Sequence, residues 1–153
     1  MIAAMRRSVL LANETEGSVA IELGLLIPLL AIFVTGVVEL GFGLYQAARV
    51  YDASEAGMLY AAKYGWNATG ISAAVVNATS APGIAATPSP SQFCGCPGTT
   101  AVATVICSST CANGSVPSQY IQINASLTRQ SIVSFPGLGL PSTLTAQAIL
   151  RVN

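Results

Sequence analysis

Residues 17–62 read GSVAIELGLLIPLLAIFVTGVVELGFGLYQAARVYDASEAGMLYAA, and the change of pattern inside this stretch sets the architecture. From Leu23 to Val38 no side chain carries charge. Counted from Ser18 to Gly43 the run has 26 residues. At the usual helical rise that is about 39 Å, enough to cross a hydrocarbon core of about 30 Å. A buried helix of a soluble protein is the bland alternative, and the sustained hydropathy argues against it. Pro28 removes a backbone donor inside the run and should bend or loosen it.

From Tyr45 the pattern turns amphipathic. Ala47, Val50, Ser54, Gly57, Ala61 and Tyr64 recur every three or four residues as one stripe, while Arg49, Asp52 and Glu55 lie on another side. Small residues along a face permit close approach to a sheet or a second helix. Arg49 and Asp52, three apart, are placed to pair weakly. Gly65, followed by Trp66 and Asn67, supplies a stop. The expectation is one long helix over about 19–64, half in the membrane and half carrying a domain outside it.

Charge is distributed unevenly. The carboxylates are Glu14, Glu16, Glu22, Glu39, Asp52 and Glu55, with none after Glu55. From Asn67 to Asn153 the only permanent charges are Arg129 and Arg151, and there is no His in the chain. General acid–base catalysis draws on His, Asp, Glu or Lys, so the C-terminal part lacks its usual inventory, and its Ser and Thr hydroxyls have no neighbouring base. Catalytic residues, a cofactor and an oxygen-ligated metal are accordingly not expected. Nor is nucleic-acid binding, which needs clustered Lys and Arg.

Arg6 and Arg7 precede the apolar run, and the positive-inside rule then puts the N-terminus in the cytoplasm and the C-terminal domain outside. A secretory signal peptide shares that charge pattern, but this run exceeds a typical h-region and no A-x-A site closes it.

Residues 67–90 are rich in Ala, Ser, Thr, Asn and Pro, with a short helix expected near Ile71–Val76 and a loop after it. Beyond them the period is two. In QYIQINASLT, Ile121, Ile123, Ala125 and Leu127 face one way and Gln122, Asn124, Ser126 and Thr128 the other. LTAQAILRV repeats this with Leu144, Ala146, Ala148, Leu150 and Val152. These are half-buried antiparallel strands, and Thr100–Cys107 is a further candidate. The fold class is α+β: a long N-terminal helix packed on a small antiparallel sheet, in a pilin-like layout.

Cys94, Cys96, Cys107 and Cys111 lie outside the membrane in this topology, where thiols oxidise. Four cysteines allow three connectivities. A hairpin favours the nested one, Cys96–Cys107 with Cys94–Cys111. A zinc site built on the same thiolates is the rival. Asn13, Asn67, Asn77, Asn113 and Asn124 each begin an N-x-S/T triplet, which a Ser/Thr-rich chain produces by chance.

The head of the apolar run holds one more signal. Gly17 sits at its edge, and a lone acid, Glu22, lies five residues on. A carboxylate at bilayer depth costs on the order of 2.5–3.5 kcal/mol and calls for a partner. Cleavage after Gly17 would supply one, since Ser18 would then carry an α-ammonium.

With GSVAIE, the IPLL segment at Pro28, the V-E-L-G around Glu39 and the Ala-rich amphipathic stretch, residues 17–62 resemble the N-terminal region of TadE-like proteins, minor pseudopilins of the Tad (Flp) pilus related to type IV pilins. Leu23 departs from the aromatic residue common after the glutamate, and Ser18 and Glu16 differ from the Phe-starting pilins. The resemblance implies a cytoplasmic leader over 1–17 cut by a prepilin peptidase between Gly17 and Ser18, with Glu22 as the assembly glutamate. It implies a transmembrane helix over 18–44, its amphipathic continuation over 45–66 and an extracytoplasmic disulfide-containing β domain over 67–153. The C-x-C and the distal cysteine pair also resemble the C-terminal parts of some TadE-like proteins, less specifically. The expected role is assembly of a Tad pilus, hence adhesion and biofilm formation, from a single-pass position in the bacterial inner membrane. The expected partners are the peptidase, other pilin and pseudopilin subunits, the inner-membrane assembly platform and lipid. The alternatives are a pseudopilin of a secretion or DNA-uptake system, or a membrane-anchored ligand-binding domain.

Overall fold

A computed structural model describes residues 14–133 and 140–152, with side chains of the N-terminal helix from Val19 onward. Arg6, Arg7 and the first thirteen residues of the expected leader lie outside the described residues. The chain forms two compact units, dividing between Leu40 and Gly41.

Helix α1 spans Glu14–Tyr64, 51 residues with Pro28 inside it. It ends as the sequence requires. Gly65 takes φ 77°, and its N–H donates to the Ala61 carbonyl at 2.9 Å, a left-handed cap that a side chain would strain. Asn67 then opens α2 (Ala68–Asn77), with its Oδ1 accepting from the Gly70 N–H at 2.9 Å. Ile71 and Val75, one turn apart, are the buried residues of α2.

The second unit carries a four-stranded antiparallel sheet in the order β2-β1-β3-β4, from β1 (Ser91–Pro97), β2 (Val102–Val105), β3 (Ser118–Thr128) and β4 (Thr143–Val152). The expected α+β architecture is therefore present, with the α1 segment after Leu40 packed on the sheet. Alternation decides the packed face. Ile121, Ile123, Ala125 and Leu127 of β3 stand opposite Leu150, Ala148, Ala146 and Leu144 of β4, as their periodicity predicts. The four β3 residues and Ala146 join Val50, Ala53 and Ala61 of α1, Ile71 and Val75 of α2, and Ile84 in one core, with Leu144 and Leu150 packed against it. Gly57 marks the closest approach of α1: a Cβ placed there would lie 2.7 Å from Val75 Cγ2 and 2.9 Å from Ile123 Cγ2.

The stripe along α1 holds at Val50, Ser54, Gly57 and Ala61, all buried, with Ala47 half-buried. It fails at Tyr64, which is exposed and packs on Tyr60 (ring centroids 4.9 Å) beside Lys63. Arg49 lies over the Tyr45 ring at 4.8 Å and forms no ion pair with Asp52. Gln46 adds a contact that the stripe does not announce. Its Nε2 donates to the Gln130 carbonyl at 2.8 Å and its Oε1 accepts from the Gln130 N–H at 3.0 Å. One buried amide thus satisfies both backbone groups of a residue just past β3, as a neighbouring strand would.

The far face of β3 is only partly solvated. Asn124 is buried, donating from Nδ2 to the Pro88 carbonyl at 3.3 Å, and Ala85 bridges to Ser126. Tyr120 stacks on Phe93 across the strands at 5.6 Å. The stretch from Ala85 to Phe93 thus covers residues that alternation alone would leave in water.

All four cysteines are bridged, but not in the nested order. The pairs are Cys94–Cys107, with Cα atoms 5.1 Å apart, and Cys96–Cys111, at 5.6 Å. Register is the cause. Cys94 stands opposite Val105 and Cys96 opposite Ala103, so Cys107, two residues past Val105, falls beside Cys94. Cys107 lies inside a turn closed by the Ser109 N–H on the Ile106 carbonyl at 2.9 Å, and Cys111, beyond that turn, bonds to Cys96. No thiol is left for zinc. Replacing Cys94 and Cys107 together by Ser should leave one bridge and no free thiol, while replacing Cys94 and Cys111 should strand two cysteines. Alkylation of the unreduced protein with mass readout checks both. Loss of either bridge should lower stability by about 2–4 kcal/mol.

Candidate functional site

The residues singled out at the head of the apolar run fall on one continuous helix. Gly17 and Ser18 lie in its first turns, and Glu22 is one turn beyond Ser18, about 6 Å along the axis. Leu23, Leu25, Leu26, Ile27, Leu29, Leu30, Ile32 and Phe33 are all more than half exposed, and Glu22 is exposed among them. No buried residue lies in the most apolar window of this helix, whose mean hydropathy is 2.4. Such a surface is unfavourable in water and suited to lipid or to other apolar helices. The helix is long and apolar enough to cross a membrane.

Local chemistry fits that medium. Thr35 Oγ1 donates back to the Ala31 carbonyl at 2.8 Å, so its hydroxyl needs no water. Pro28 is the exception, since it leaves the Gly24 carbonyl without its helical donor, a cost in lipid. Glu39 is buried, with 3% of its surface exposed, and it is engaged in an interaction. Glu22 is the contrasting acid: it forms no ion pair among the described residues. Its spacing from Glu39 is about 25 Å of helix, close to the depth of a bilayer core.

The bridged cysteines form the second element that the sequence singled out, and they lie in the other unit, on β1 and the turns after β2. Among the described residues no group of His, Cys, Asp or Glu is arranged to hold a metal ion. Three Asn of the N-x-S/T triplets have local structural work: Asn67 caps α2, Asn113 accepts from the Ser115 N–H at 3.1 Å, and Asn124 is built into the far face of β3.

A single helix, apolar and long enough in its first part to cross a membrane, runs on without a break into an α+β unit stapled by two disulfides. The family described as TadE-like protein matches residues 17–58, from the glycine at the head of the run through the amphipathic stripe to Met58. The segment is TadE-like, as its motifs indicate. No curated protein and no solved structure matches the chain.

Proposed function

We propose that this chain is a processed minor pseudopilin that acts in assembly of a Tad-type pilus, and that it is not an enzyme. The observation that supports this most directly is the placement of Gly17 and Glu22 five residues apart at the head of an exposed apolar helix, within the TadE-like match. In this reading a prepilin peptidase cuts between Gly17 and Ser18. The helix then holds the subunit in the inner membrane, N-terminus inward, until Glu22 pairs with the α-ammonium of an adjacent subunit. The β domain stands outside, where its disulfides form, and adhesion follows from the pilus.

The decisive experiment is the mass of the mature chain. In cells carrying the pilus system, the intact mass should fall by the seventeen residues Met1–Gly17, and Gly17→Val should abolish the change. A mature protein that still begins at Met1 overturns the pseudopilin reading and leaves a membrane-anchored domain.

A further inference from the structure

A cavity of about 420 Å³ opens on the sheet-bearing unit, lined by Tyr51, Thr87, Pro88, Asn124, Thr145, Ala146 and Gln147. That volume is within the range of small-molecule sites. Nothing in the assembly role uses it. None of the lining residues carries a formal charge, and five of them present a hydroxyl or a carboxamide.

Asn124 gives the site its anchor. It is 7% exposed, and two hydrogen bonds hold its amide. A carboxamide can donate two hydrogen bonds and accept two. Here Nδ2 donates once, to the Pro88 carbonyl at 3.3 Å, and Oδ1 accepts once, from Gln122 Nε2 at 3.2 Å. One donor and one acceptor therefore remain. The side chains of Thr87, Thr145 and Gln147 and the Tyr51 hydroxyl make no hydrogen bond to the described protein, so their capacity is also uncommitted. Tyr51, 62% exposed, adds an aromatic face at the rim.

This donor set selects by chemistry. An anion or a cation entering the cavity would lose hydration and meet no opposite charge. A purely apolar ligand would leave the Asn124 donor and acceptor buried and unpaired, at a cost. A neutral polyhydroxylated ring meets both demands: its hydroxyls donate and accept to carboxamides and hydroxyls, and its C–H face lies on an aromatic ring. We infer that this cavity binds an uncharged sugar unit, making the subunit a carbohydrate-binding module independently of its part in pilus assembly.

The test uses the full chain in lipid nanodiscs free of glycoside detergent. Saturation-transfer NMR and calorimetry are run with glucose, galactose and N-acetylglucosamine, and with glucuronate as the charged counterpart. At least one neutral sugar should bind, with glucuronate at least tenfold weaker. Tyr51→Ala and Gln147→Ala, both at exposed positions, should each weaken binding tenfold or more without altering the thermal midpoint. Gln147→Trp, which fills the cavity, should abolish it. Absence of binding by all three neutral sugars overturns the proposal. So does binding that none of these variants changes, or glucuronate binding as tight as that of the neutral sugars.

Discussion

Glu22→Ala should leave the protein in the membrane, folded and cleaved, yet absent from pilus complexes. The reason lies in the medium. In the assembled state proposed here, the carboxylate and the Ser18 ammonium of a neighbour form a pair out of water. Removing one partner of a buried pair costs about 3–5 kcal/mol, because the other charge stays buried alone. Docking weakened by that amount falls by more than a hundredfold. Insertion should not suffer, since alanine is easier to place in lipid than glutamate. Glu22→Asp keeps the charge and should restore part of the incorporation. The measurement is co-purification with pilus components from cells matched for membrane level of each variant. Assembly of Glu22→Ala at the parental level would remove the pairing role.

The second large effect is expected at Gly57, where a single methyl already meets two fully buried branched side chains, Val75 and Ile123. Both are held between α1, α2 and β3 and have no solvent side to move into. Gly57→Ala gains about 0.5–1 kcal/mol of helix propensity and loses about 1–3 kcal/mol to overpacking, so a small net loss is expected. Gly57→Leu adds three more carbons to the same gap and should prevent α1 from docking on the sheet. Gly41 is the control, since a Cβ there meets nothing within 4 Å, and Gly41→Ala should be neutral or stabilising. Thermal unfolding of the full chain in nanodiscs, followed by near-ultraviolet dichroism, separates the three. A Gly57→Leu midpoint within a degree of the parent would show that the helix does not pack at this point.

Periodic features were legible in the sequence. The long helix, the short helix after Asn67 and the packed faces of β3 and β4 follow from spacing of 3.6 or 2, because each repeats over several residues that all find the same environment. Features set by a single register or one distant contact were not. The cysteines were recognisable as bridged, but which bonds form depends on Cys94 facing Val105, and no local pattern fixes that pairing. Asn124 reads as solvent-facing from alternation and is buried because the chain around Pro88 crosses it, from 36 residues away. Gln46 sits 84 residues from the backbone it clamps. Tyr64 matches the stripe in spacing, yet it is the last residue of α1 and points past the core. The candidate residues at the head of the helix are neighbours in sequence and need no tertiary contact to come together, while the cavity assembles from four separate segments and has no linear signature.

The interleaved bridges also determine how the domain answers a pull on its two ends. Tension entering at β1 reaches Cys94 and can pass straight to Cys107, or through Gly95 to Cys96 and on to Cys111. Either route bypasses most of the chain between Cys94 and Cys111, a stretch that would otherwise pay out on the order of 60 Å when drawn straight. Because the bridges cross, there are two routes in parallel: the one through Cys96, with two residue steps, draws taut first, and the one through Cys107, with four, stands behind it, whereas nested bridges would put all the load on the outer one. A single proteolytic cut between Cys96 and Cys107 would still leave both halves tied together twice. The hairpin thus adds little length to the chain however hard its two ends are drawn apart.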